Sequence, residues 1–285
     1  MDDPVRSVTE DEVCAFRENG WVLLPALVDP GVALEVRERA LELRKEQTKD
    51  YDVFGTSRDV NVGELFGKIE NMADHSRLCA SIIDSRTGSR NASRLLWGDR
   101  PMRRIGGGAI LIKEPTSTPE GHGPTHFHQD FNVYPFDRSW IINSWTALDE
   151  LSPDMGTLQF YSGSHNFGLL GRGFVRPFGA APSMLRDRTN KSIEADTERK
   201  PFHPWLDSLE VSEPPHMQPG DAFMWHGFTV HGAPANTSGR TRMALTLMRF
   251  DAETLYTGAP YHQTDGLGLT PNEPLDHPKF PLLPF

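Results

Sequence analysis

From Leu95 to about Phe250 the chain is written in short runs of β-branched and aromatic residues, broken at close intervals by Gly, Pro, Asn and Asp. Such a rhythm suits many short strands joined by tight turns and leaves no room for long helices. Upstream the pattern is different. Thr9 and Glu12 form a capping-box pair that opens a helix ending at Gly20, and Trp21-Val22-Leu23-Leu24 then reads as a strand. Asp29-Pro30 starts a second helix with Val32, Val36, Ala40 and Leu43 on one face, and a third is expected around Met72 to Asp84. Helices gathered at the front of a strand-rich chain predict a mainly β fold with flanking α-helices, a sheet sandwich or jelly roll.

The chain has 285 residues, enough for a substantial core, and all-β barrels of this size commonly form one domain. A single domain over 1–285 is therefore expected, with N-terminal helices over about 8–90 and the strand core over about 95–250. A mean hydropathy of −0.48 and the lack of a long apolar run argue against a membrane span. The formal charge of −10 argues against nucleic acid or an anionic membrane as partner, and fits a strongly anionic acyl-CoA less well than a neutral or cationic small molecule. Two cysteines, Cys14 and Cys79, make no disulfide framework, and the acidic start Met1-Asp2-Asp3-Pro4 is unlike a signal peptide; a cytoplasmic location is expected. Oligomeric state leaves no trace in the sequence.

The chemistry sits in His128-Gln129-Asp130. On an extended strand, alternate residues point the same way, so both side chains would share a face. A third histidine would complete a two-His, one-carboxylate set that holds Fe(II) on one side and leaves positions open for reaction. An H-x-D pair arises easily by chance in a chain with 11 histidines, so its surroundings decide its weight. Downstream, a turn at Gln218-Pro219-Gly220-Asp221 and the apolar run Ala222 to Trp225 lead to His226 and His231, with Arg242 on the strand-like segment Thr241 to Phe250. A fixed guanidinium near the metal is suited to gripping a dicarboxylate, in a fork that Lys cannot reproduce.

These blocks resemble the phytanoyl-CoA dioxygenase family of Fe(II)/2-oxoglutarate-dependent oxygenases. The resemblance is carried, in order, by Ile110 to Pro115, His126 to Asp130 with Tyr134-Pro135-Phe136, Ser144 to Asp149, Met155 to Leu158 with Gly163-Ser164-His165, and Pro219-Gly220-Asp221 through His231-Gly232 and Asn236-Thr237-Ser238 to Arg242. It implies a double-stranded β-helix core, jelly-roll and cupin-like, with His128, Asp130 and His231 as iron ligands. It further implies that Arg242 binds the distal carboxylate of 2-oxoglutarate with Lys113 close by, and that O2 is consumed with release of succinate and CO2. Hydroxylation is the default outcome, with desaturation, ring formation or epimerisation open to the same chemistry; Asp130 stands where related halogenases leave room for chloride. Two positions depart from the pattern: Ala233 replaces a frequent Ser, and Ser162 replaces the Pro before Gly-Ser-His.

Other residues admit competing roles. Trp145 is a candidate for the co-substrate pocket or simply for the core, while Gln129, Asn132 and Asn143 are candidates for substrate contact. His126 could pair with His128 on a metal, and His226 competes with His231 as third ligand; spacing to Arg242 and the family pattern favour His231. His122, His203, His216, His262 and His277 lie among Gly and Pro and are expected at the surface. Gly106-Gly107-Gly108 lacks the Lys-Ser/Thr of a phosphate loop and reads as a bend leading into a strand. Two segments break the strand rhythm, the insert from Phe167 to Pro204 and the Pro-rich stretch from Gly258 to Phe285; at a barrel mouth either would shape the substrate pocket as a lid. The charge run Arg186 to Lys200 reads as solvated loop. A Zn-dependent or other cupin-like metalloenzyme would use the same three ligands without needing Arg242, and a non-catalytic binding protein would need neither. The substrate itself, a small and partly apolar molecule such as a natural-product intermediate, is not written in any motif.

Overall fold

A computed structural model describes residues 2–46, 66–170 and 204–285, together with the backbone of three short strands at 174–176, 185–186 and 192–193. Helix α1 (Glu10–Asn19) starts at the expected box: Thr9 Oγ1 accepts from the Glu12 amide while the Glu12 carboxylate accepts from the Thr9 amide, at 3.2 and 2.8 Å. Gly20 ends it in the left-handed region, at φ 78°, and releases the chain into β1 (Trp21–Leu24). Asp29 caps α2 (Pro30–Glu46) through the Val32 amide, but the buried stripe is Ala33, Val36, Ala40 and Leu43, with Val32 only partly covered. After β2 (Gly67–Glu70) the helix expected over Met72 to Asp84 is two pieces, α3 (Met72–His75) and α4 (Arg77–Ile83).

Helix α5 (Arg86–Leu96) has no counterpart in the sequence reading, which let strands begin at Leu95. Its buried residues are Gly88, Ser89, Asn91, Ala92 and Ser93, with Leu95 and Leu96 only in the last turn, so no apolar stripe runs along its length to advertise it. Asn91 on that face is satisfied: its amide accepts from the Val8 amide and donates to the Arg6 carbonyl, tying the first residues of the chain to the helix.

Strands β3 (Met102–Lys113), β5 (Ile141–Ala147), β10 (Ala222–His226) and β12 (Arg242–Asp251) join β1 and β2 in a six-stranded antiparallel sheet, ordered β1-β10-β5-β12-β3-β2. A second sheet, ordered β6-β11-β4-β7, combines β4 (Thr125–His128), β6 (Gln159–Phe160), β7 (Phe174–Arg176) and β11 (His231–Ala233). Strands β8 (Leu185–Arg186) and β9 (Ser192–Ile193) pair with each other. This is the mainly β, jelly-roll architecture with flanking helices that was expected. Alternation divides the large sheet: Ile142, Met224, Leu245 and Leu247 pack under the helices, whereas Trp145, Phe223 and Ala244 meet Phe160 and Ala233 of the small sheet. Both faces of β5 are buried along its whole length. Within that sandwich the Asn143 amide donates to Asp130 at the site below, and the Ser144 hydroxyl donates to the Leu247 carbonyl at 3.4 Å.

Three expectations change. Gly106-Gly107-Gly108 lies inside β3 rather than before it: the pairing steps from Thr246↔Ala109 to Met248↔Ile105, and Gly106 and Gly108 take φ of 61° and 69°. The triplet is therefore a bulge, into which Asn71 and Ile83 pack. The His128–Asp130 pair is not on one strand, since β4 ends at His128 and Asp130 opens a 3₁₀ turn over Asp130–Val133. The stretch from 252 to 285 packs on the core with Tyr256, Leu275 and Phe280 buried. Most of the 167–204 insert, including the Arg186 to Lys200 charge run and His203, falls outside the described residues.

Candidate metal and co-substrate site

His128 on β4 and His231 on β11 face each other across a register pair, so the backbone ladder itself sets the two rings side by side, with centroids 4.4 Å apart. Gln129 keeps extended dihedrals, which preserves the alternation and turns Asp130 back onto the same side before the 3₁₀ turn begins. One ligand atom from each of His128, Asp130 and His231 then lies within 4.8 Å of the others, and this is the only such His-containing group among the described residues. The Nε2 atoms of His128 and His231 are 3.4 and 3.5 Å from Oδ1 and Oδ2 of Asp130. Each ring is oriented by its own strand: His128 Nδ1 lies 2.8 Å from the His126 carbonyl and His231 Nδ1 lies 3.0 Å from the Thr229 carbonyl. A carbonyl only accepts, so both protons sit on Nδ1 and both Nε2 lone pairs point at the shared centre.

Asp130 is braced from the large sheet, where Asn143 Nδ2 and Trp225 Nε1 donate to Oδ2 at 2.6 and 2.8 Å. That leaves Oδ1 for a cation. Burial alone would raise the Asp130 carboxyl, but His231, His128 and Trp225 outweigh it and hold the group down at about 2. Burial pushes His231 down to about 4, whereas the Asp130 hydrogen bond and charge draw a proton onto His128 despite its burial. The trio thus pulls in positive charge, the condition a divalent ion meets with two neutral imidazoles and one carboxylate.

Two residues along β5 from Asn143, on the same face and so about 7 Å away, lies Trp145. Over its ring, 5.2 Å from the centroid, sits the guanidinium of Arg242, whose Nη1 donates to the Gly156 carbonyl. Arg242 is the register partner of Lys113 on β3, and both are buried. Among the described residues, Lys113 Nζ, Arg242 Nε, Trp145 Nε1 and Thr157 Oγ1 have no hydrogen-bond partner. The neighbouring acid, Glu114, is committed to Arg44 and Thr241. Burial, with Arg242 adding to it, pushes Lys113 down to about 6, and burial brings Arg242 down to about 9. Two buried cations with spare donors and no acid form a socket for an anion, and they are the features that the residues present offer to a dicarboxylate.

The other candidates fall elsewhere. Gln129 is buried and its amide is spent on Gly168, Phe228 and Leu170 backbone groups, so it staples the chain rather than facing substrate. Asn132 is half-buried on the turn that Asp130 opens. His126 stays outside the ligand group, and His226, pushed down to about 3 by burial and by His165, accepts from the Phe228 amide through Nδ1. His122 is buried rather than at the surface and accepts from the Glu114 amide at 2.8 Å. His216 and His262 are exposed and His277 half-buried. Ala233 packs in the inter-sheet core. Trp225 and Thr157 escaped the sequence reading: an indole in an apolar run and a Thr in a turn look like core until the partner strand is placed beside them.

A family model for phytanoyl-CoA dioxygenase (PhyH) matches residues 16–244. The chain belongs to the phytanoyl-CoA dioxygenase family. It is 31% identical over 127 residues to phytanoyl-CoA dioxygenase domain-containing protein 1 of Danio rerio, a stretch covering 44% of this chain and 39% of that relative. Among solved structures it resembles the non-haem α-ketoglutarate-dependent carbocyclase SnoK from nogalamycin biosynthesis, at 25% identity and a TM-score of 0.69, over 97% of this chain and 96% of that one. It also resembles the epimerase SnoN in complex with Fe3+, α-ketoglutarate and nogalamycin RO, at 22% identity and a TM-score of 0.68, over 96% and 97%. Family and fold together make this an oxygenase of the non-haem iron type, with Fe(II), 2-oxoglutarate and O2 as its cofactor and co-substrates. No helix among the described residues is long and apolar enough to cross a membrane.

Proposed function

We propose that this chain, as one domain in the cytoplasm, oxidises a small, partly apolar molecule, most simply by hydroxylation, using His128, Asp130 and His231 to hold Fe(II). The observation that carries the reading is the pair of buried basic side chains, Lys113 and Arg242, with no acid partner among the described residues, beside Trp145 and so two residues along β5 from the Asn143 that braces Asp130. A Zn-dependent hydrolase on the same three ligands would leave that pair buried for nothing. In this reading Arg242 forks onto the distal carboxylate of 2-oxoglutarate, Lys113 adds charge, and Trp145 Nε1 and Thr157 Oγ1 supply the neutral contacts that Ala233 lacks. When bound, Fe(II) with 2-oxoglutarate and O2 supplies the oxidising power, and succinate and CO2 leave. The chain's own part is orientation: Asn143 and Trp225 fix Asp130, and the Thr229 and His126 carbonyls fix the rings. The SnoN complex, with its bound nogalamycin compound, supports a natural-product intermediate as substrate.

Anaerobic titrations test the assignment. His128→Ala, Asp130→Ala and His231→Ala should each lose Fe(II), whereas His226→Ala should keep it. Arg242→Ala should keep iron but lose roughly 2–5 kcal/mol of 2-oxoglutarate binding, the cost of stranding a buried charge. Arg242→Lys should recover only part of this. Arg240, exposed and paired with Asp149 at 3.1 Å, is the control and should be dispensable. Iron retained in His231→Ala, or equal 2-oxoglutarate affinity in Arg242→Ala, would overturn the reading.

A further inference from the structure

The family match ends at residue 244, yet the chain beyond β12 returns to the metal site. Residues 252–257 run beside 134–137: Phe136 bridges to Tyr256, and the Thr257 amide donates to the Pro135 carbonyl at 2.9 Å. The next turn is self-bonded around Tyr261, whose carbonyl accepts from the Thr264 and Asp265 amides at 2.9 Å and whose amide donates to the Asp265 carboxylate at 3.0 Å. Thus held, the Tyr261 ring meets Tyr134 edge to face, centroids 5.4 Å apart. Tyr134 closes the 3₁₀ turn that Asp130 opens, and its ring stacks on Phe136. The two phenols are close enough to influence each other's ionisation. Burial, then the partner phenol and the Asp130 carboxylate, push Tyr134 well above its ordinary range, so it stays a neutral donor at physiological pH. Phe131, Leu267 and Leu269 pack, like the two tyrosines, against the buried cluster of Phe136, Phe250 and Tyr256.

Both tyrosines are only half-buried, although their rings are anchored in an aromatic cluster beside a metal ligand. A buried core would favour Phe at these places, because an apolar ring needs no partner for a hydroxyl. We propose that Tyr134 and Tyr261 form the polar point of the substrate chamber. Tyr261, beyond the residues 16–244 that the family model matches, selects a neutral, ring-bearing substrate with a hydroxyl or carbonyl oxygen. The aromatic walls take the ring, and the phenol pair takes the oxygen. This rests on the proposed function, since it places the chamber beside His128, Asp130 and His231.

The test uses the full chain loaded with 2-oxoglutarate and Mn(II) in place of iron, with Zn(II) as the diamagnetic reference. The probe is 2-naphthol, with naphthalene as the match lacking the hydroxyl, and NMR relaxation of the probe protons reports binding near the metal. Wild type should bind 2-naphthol about three- to tenfold more tightly than naphthalene, the worth of one net hydrogen bond. Tyr261→Phe should erase that preference while leaving naphthalene affinity and 2-oxoglutarate affinity unchanged, and Tyr261→Ala should weaken both probes. A preference that survives in Tyr261→Phe overturns the inference, as does a wild type that holds Mn(II) and 2-oxoglutarate but relaxes neither probe. A wild type that binds neither metal nor 2-oxoglutarate fails the proposed function first, and the inference with it.

Discussion

Lys113 and Arg242 show how much a site can be defined by what it lacks. Burial makes each less willing to carry its charge, with no acid among the described residues to offset it, and burial with the Arg242 charge brings Lys113 from an ordinary 10.5 to about 6. The sign of the resulting pH dependence follows from linkage. Between about 6 and 10.5 the unfolded chain holds a proton on this lysine that the ligand-free fold does not, so stability rises with pH through that window, and the full cost of the buried charge is felt below it. A carboxylate arriving beside Lys113 restores the charge. Binding of 2-oxoglutarate at pH 8 should therefore take up about one proton, seen in calorimetry as a dependence of the heat on buffer ionisation, and Lys113→Met should abolish the uptake. Proton-neutral binding in the parent would mean that Lys113 does not face the co-substrate. The identity of the ligand histidines was legible at this scale, but the missing partners were not, since no sequence shows which donors end up unpaired.

Among the strands, β3 has the least ordinary geometry. Its glycine triplet sets three residues of β3, Gly106 to Gly108, against the single residue Leu247 of β12, and the room so made is filled by Asn71 and Ile83. A Cβ on Gly107 would stand 2.9 Å from the Asn71 Cα, a backbone atom that cannot swing aside. Gly107→Ala should accordingly cost about 1–3 kcal/mol, read as a lowered melting temperature. Gly239→Ala, with nothing within 4 Å, should stay within about 0.5 kcal/mol. Equal melting of the two variants would remove the bulge from the account. Glycines in a row announced a special backbone, though not its place, because a bulge is defined by the strand opposite. Helix α5 failed to announce itself for the converse reason: before Leu95 and Leu96 its buried residues are small and polar, and they become comprehensible only when Arg6 and Val8 arrive to bond Asn91.

For the molecule as a whole, the stretch past β12 behaves as core. Phe280 and Leu275 are fully buried against Phe250 and Phe136, and Arg103 ties the stretch down through the Phe280 carbonyl and Asp276. Phe280→Ala should lower stability by about 3–5 kcal/mol, measurable by denaturant unfolding. A loss below about 1 kcal/mol would show that this segment hangs loosely and acts as a separable lid. Local rules sufficed for what is local: the Thr9 box, the Gly20 stop and the switch from helical to strand rhythm, whereas His231 and Arg242 were singled out by the resemblance to a family. Hydrogen bonds and alternation within a few residues dictate the local features. Which strands lie side by side is a matter of long-range pairing, and that alone set His128 opposite His231, brought Asn143 and Trp225 to Asp130, and left Lys113, Arg242, Trp145 and Thr157 facing one another without an acid. Those contacts join residues scores of positions apart, so no window of sequence contains them.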